Sequence, residues 1–99
     1  MIDSRPNPPR PDDLAAARHE IERIDRAIVE LIGKRLRAAE VVVTAKRAHG
    51  LPVLDPEQEA RVVRRGGEWA REAGLPEEDV RDLLWRIIAI TRRAQGGES

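Results

Sequence analysis

Between Asp13 and His49, apolar side chains return at alternating steps of three and four: Leu14, Ala17, Ile21, Ile24, Ile28 and Leu31. That rhythm sets them along one side of an α-helix, and no proline interrupts it. The next seam position holds Arg35, where another Leu or Ile is due. The stripe then resumes at Ala38, Val42 and Ala45, beside Lys46. Gly33 is the one internal glycine, and Gly50 supplies a stop. Such a helix runs to roughly 54 Å, more than a single small domain covers by itself. A cation on its buried seam is the first functional clue.

The chain has 99 residues, enough for one domain with a modest core. Charged residues make up 36% and aromatics 2%, a profile that fits helical bundles. Acids and bases balance at 18 each with no basic block, which argues against nucleic acid or an anionic membrane as partner. No cysteine is present, so disulfide and thiol chemistry are excluded. No apolar run approaches a membrane span and no signal-peptide core opens the chain, so a cytoplasmic protein is expected.

Residues 1–12 carry Pro6, Pro8, Pro9 and Pro11 and read as a disordered leader, with Asp12 or Asp13 as cap of the long helix. After a short connection, Asp55-Pro56-Glu57-Gln58 gives a second helix start: Asp as N-cap, Pro in the first turn, Gln closing a capping box. Gly66-Gly67 should weaken or bend that helix before it ends at Gly74. A third helix starts at Leu75-Pro76-Glu77-Glu78, with Val80, Leu83, Leu84, Ile87 and Ile88 as its stripe, and stops at Gly96-Gly97. The expected fold is all-α, with residues 13–95 as the helical domain and 96–99 as a frayed tail. Two short helices cannot cover both ends of the long one. A second copy packed antiparallel can, which predicts an intertwined homodimer.

Polar residues on apolar faces locate the candidate site. Lys46 follows Arg35 by 11 residues, about three turns, and projects from nearly the same side. Ala38, Ala39 and Val42 between them leave room for a ligand. On the third helix, Thr91 and Gln95 continue the stripe where apolar residues are due. Arg18 lies about 100° round the first helix from Arg35 and roughly 25 Å along it. In an antiparallel pair crossing near residue 30, the partner copy's position 18 falls level with position 42, which suggests a site shared between subunits. Each residue has an ordinary explanation: register for Arg35, the helix dipole for Lys46 and Glu59, solvation for Arg18, back-bonding for Thr91. Their convergence on one small-residue pocket suits a small dianionic ligand. No nucleophile–base pair, metal-spaced cluster or phosphate loop accompanies them. An enzyme built this way must work by positioning and electrostatics.

With these residues in place, the chain resembles the all-α chorismate mutases from about Leu14 to Gln95. The carriers are Arg18-x-x-Ile21-x-x-Ile24-Asp25, Leu31-Ile32-x-Lys34-Arg35, Ala45-Lys46, Pro52-Val53-x-Asp55-Pro56-x-x-Glu59 and Ile87-Ile88-x-x-Thr91-x-x-x-Gln95. The resemblance implies a homodimer with shared sites and a Claisen rearrangement of chorismate to prephenate, without cofactor or metal. It implies that Arg35 and the partner copy's Arg18 hold the two carboxylates. Lys46 and Gln95 would donate to the ether oxygen, Asp55 and Glu59 would meet the group at C4, and Thr91 would assist a carboxylate.

The chain departs from the family pattern at Gln58, where an arginine is usual. Either Gln58 serves the capping box and Arg61 partly replaces the charge, or the C4 environment has changed. The second option favours 4-amino-4-deoxychorismate, the substrate of related mutases that feed antibiotic biosynthesis. The related isochorismate-pyruvate lyases and a non-catalytic helical dimerisation module are the further alternatives. A regulatory partner enzyme is also left open.

Overall fold

The computed structural model describes residues 8 and 10–96, and these form three α-helices without strands: α1 (Pro11–Ala48), α2 (Pro56–Glu72) and α3 (Glu77–Ala94). The all-α expectation holds. Most of the expected leader and tail lies outside the described residues.

The start of α1 differs from the sequence expectation. Pro11 takes the first helical position, where its missing N–H costs nothing and its fixed φ suits the helix. Asp13 therefore sits inside the first turn and accepts from the backbone N–H of Arg10 at 3.0 Å. It works as the returning half of a capping box, and the N-cap position falls to Arg10. At the other end, Gly50 turns left-handed at φ 66°, which frees the N–H of Leu51 to reach the Lys46 carbonyl at 2.8 Å. Gly74 (φ 71°) ends α2 the same way, with Leu75 N–H on the Ala70 carbonyl at 2.8 Å.

The start of α2 follows the sequence closely. Asp55 is the N-cap, and its Oδ1 accepts from the Gln58 backbone N–H at 3.1 Å. Gly66-Gly67, expected to weaken or bend the helix, does not interrupt it: α2 runs unbroken across both glycines. They are the seam at which α3 comes close. A Cβ on Gly66 would strike Leu84 Cδ1, and one on Gly67 would strike the Arg81 guanidinium. Each glycine lowers helix propensity by about 1 kcal/mol relative to alanine, and close interhelical packing offsets that. The cross-pairs Glu59–Arg92, Gly66–Leu84 and Arg71–Glu77 run in opposite chain directions, so α2 and α3 are antiparallel.

The chain divides into two compact units, Met1–Gly33 and Lys34–Ser99. The second holds the buried residues Val43, Val63, Ala70, Ile88 and Thr91. In the first, Leu14, Ile21, Ile24, Ile28 and Leu31 are all exposed, between 49% and 61%. No described helix is long and apolar enough to cross a membrane.

Candidate active site

Within Lys34–Ser99, the C-terminal stretch of α1 faces the α2–α3 pair across a pocket of about 370 Å³. Its floor and sides are apolar: Ala38, Ala39, Val42 and Val43 from α1, Val62 from α2, Ile88 from α3. Into this lining project Arg35 and Lys46 from α1, Asp55, Gln58 and Glu59 from the start of α2, and Thr91, Arg92 and Gln95 from the end of α3. The small residues between Arg35 and Lys46 are what keep the space open.

Two polar ends result. At one, Arg35 Nη1 donates to Thr91 Oγ1 at 3.4 Å, and that hydroxyl donates in turn to the Ile87 carbonyl at 2.9 Å. The back-bond to its own helix fixes the hydroxyl and leaves an oxygen lone pair for the guanidinium. Arg35 is thus held on the wall, and among the described residues its other N–H groups make no side-chain bond. At the other, Lys46 Nζ donates to the Val53 carbonyl at 3.4 Å and stands 4.0 Å from Asp55 Oδ2. The Lys46 side chain is 23% exposed, so its ammonium is steered by these two oxygens more than by bulk water. Gln95 caps the C-terminus of α3 and reaches the same pocket.

Glu59 lies one turn after Asp55 and is gripped by Arg92. The guanidinium Nε donates to Oε2 at 2.9 Å and Nη2 donates to Oε1, a two-pronged ion pair. These bonds to Glu59 hold Arg92 above the ordinary arginine range.

The sequence-derived site residues Arg35, Lys46, Asp55, Gln58, Glu59, Thr91 and Gln95 thus line one pocket. Arg18 lies in the other unit, in a shallow depression with His19, Ile21, Glu22 and Asp25. Arg61, which one of the two readings of Gln58 has partly replacing the missing charge, is exposed and absent from the pocket lining. It follows Glu59 by two residues, about 200° round α2, so the two cannot share a face. Arg92 is the residue that sequence reasoning missed. Its signal was there: it stands four residues after Ile88, on the same stripe rule that singled out Thr91 after Ile87. Gln58 also departs from expectation. Its backbone serves the cap, but among the described residues its side chain does not return to Asp55; it lines the pocket.

No group of metal-ligating side chains occurs among the described residues. The sequence profile of the family described as chorismate mutase type II matches residues 17–96, which include the pocket, most of α1 and all of α2 and α3. The chain belongs to that family. A chorismate mutase of Methanocaldococcus jannaschii is 33% identical over 83 residues, covering 84% of this chain and 83% of that protein. The T-proteins of Enterobacter agglomerans and Haemophilus influenzae are 33% and 34% identical over 76 and 71 residues. The alignments cover 77% and 72% of this chain but only 20% and 19% of those T-proteins. No solved structure matches the chain at a significant level.

Proposed function

We propose that the pocket rearranges chorismate to prephenate, in a homodimer with two sites built from both subunits. The observation that carries the reading is the meeting of Arg35, Lys46, Thr91 and Gln95 on one apolar cavity, faced by the carboxylates of Asp55 and Glu59. The reaction breaks the ether C–O bond while a C–C bond forms within the same molecule. No proton, nucleophile or redox partner is consumed. What lowers the barrier is a compact conformer held in place and negative charge stabilised on the departing ether oxygen.

Arg35, braced by Thr91, takes one carboxylate through its other N–H groups. Lys46 and Gln95 donate to the ether oxygen, and Lys46 is already aimed by the Val53 carbonyl and Asp55. Asp55 and Glu59 receive the hydroxyl at C4. The second carboxylate falls to Arg18 of a second copy. Support for that comes from the exposed stripe of Leu14, Ile21, Ile24, Ile28 and Leu31, a run of large apolar side chains that an antiparallel second α1 would cover.

The test is turnover of the purified protein on chorismate, with the product identified by mass, beside Lys46→Ala. The variant should lose about 10²–10³ of kcat or more, with helicity and molecular mass unchanged. Near-normal turnover by Lys46→Ala would remove the ether-oxygen donor. No turnover by the parent protein would favour the non-catalytic module.

A further inference from the structure

The acid-lined end of the pocket is not as negative as its sequence suggests. Asp55 and Glu59, one turn apart on α2, would together draw a cation into the cavity if both charges were free. Neither is. Asp55 is occupied as the N-cap and has Lys46 at 4.0 Å. Glu59, whose side chain is only 18% exposed, has both carboxylate oxygens engaged by Arg92. Gln58 contributes no charge. Among the described residues, the cation bonded to Glu59 comes from α3, and Arg92 itself borders the cavity.

A ligand group that reaches Glu59 therefore meets an ion pair. A hydroxyl suits it: a carboxylate oxygen bonded by a guanidinium still has a lone pair to accept the hydroxyl proton. An ammonium does not, because Glu59 has its charge already compensated and the guanidinium beside it repels. The loss of the usual arginine at position 58, which taken alone points toward an amine-bearing substrate, is thus answered from another helix.

We infer that Arg92 is a specificity-determining residue: held on Glu59 across the α2–α3 seam, it makes this pocket select a hydroxyl over a protonated amine at C4. The inference rests on the mutase reading above and names the substrate class within it. It also excludes 4-amino-4-deoxychorismate as the preferred substrate.

The experiment compares kcat/KM on chorismate and on 4-amino-4-deoxychorismate for the parent protein, Arg92→Gln, Arg92→Lys and the double variant Gln58→Arg/Arg92→Gln. The parent should prefer chorismate. Arg92→Gln should shift the ratio toward the amine by about tenfold, through KM on the amine, since one charged hydrogen-bonded contact is removed. Arg92→Lys should keep most of the preference, and restoring a cation at position 58 should return it. A purely structural role would depress both substrates together and leave the ratio alone. That result in Arg92→Gln, or a parent that prefers the amine, overturns the inference while leaving the mutase reading standing. Turnover of neither compound by the parent overturns the mutase reading itself, and the inference with it.

Discussion

The two stretches of α1 carry the same apolar rhythm, and only the second has a buried residue beside it. In residues 34–48, Val43 is 8% exposed and borders the cavity with Val62 and Ile88. In residues 11–33 the stripe residues Ile21 and Ile28 are 57% and 50% exposed, and Val42, their stripe counterpart in the second stretch, is 52% exposed; Val43 lies beside the stripe. Periodicity therefore says which side of a helix wants burial, not whether the same chain supplies the cover. Burying one isoleucine stabilises by about 1.5–3 kcal/mol, so several left in water are a large unused driving force. An amphipathic helix of this length draws its stability mainly from such burial. The contrast is the strongest sign within the chain that a second copy completes the fold.

Breaking the contrast should have the largest effect of all. Ile24→Asp combined with Ile28→Asp puts two carboxylates into the expected seam, where unpaired charge is costly to bury. Self-association measured by light scattering should be lost, and turnover should fall by at least about a hundredfold as the shared sites come apart. A variant of unchanged mass and activity would mean that the stripe of residues 11–33 faces solvent in the working protein.

A smaller effect sharpens the same point, because it asks whether the uncovered unit contributes to the other copy's pocket. Arg18→Ala and Arg35→Ala, each inactive alone, are mixed and allowed to exchange subunits. Half the dimers then pair unlike chains, and each has one intact composite site and one doubly broken one, so about a quarter of the sites recover. Recovery of none, with exchange demonstrated by mass, would separate Arg18 from the pocket.

The parts of this molecule that could be read from sequence are those fixed by local rules. Helix periodicity, the Asp55 cap and the glycine stops depend on neighbours within a few residues, and they appear where expected. Two features escaped because they depend on pairs distant in the chain. Gly66-Gly67 reads locally as a weak point and becomes a contact seam only once Leu84 and Arg81 are opposite. Arg92 reads as one more charge near a helix end until Glu59, 33 residues earlier, is brought beside it. The candidate site was legible as misplaced polar residues on two stripes, those of the first and third helices, with Asp55 and Glu59 added by the family resemblance. Its charge balance was not, since that is decided by which carboxylate each guanidinium reaches.

The smallest expected effect probes the covered unit by itself, at the turn that joins α2 to α3. Arg71 Nε donates to Glu77 Oε1 at 2.5 Å, and Arg81 stands 3.6 Å from the other carboxylate oxygen. The hydrogen bond from Arg71 holds the Glu77 carboxyl below its ordinary value of 4.5, with the charges of Arg71 and Arg81 assisting against partial desolvation. As pH falls, the unfolded chain takes up the Glu77 proton before the folded one does. The pair's contribution is therefore full above 4.5 and is lost as pH drops through the lower folded-state value. Glu77→Gln should lower the urea midpoint slightly at about pH 7 and leave the two proteins closer together at about pH 3. Arg71 is largely exposed, so added salt should shrink the difference at neutral pH as well. A gap between the proteins that persists unchanged into acid would assign the effect to packing at the turn rather than to charge. The covered unit would then owe its stability to the α2–α3 seam, with the ion pair at its edge incidental.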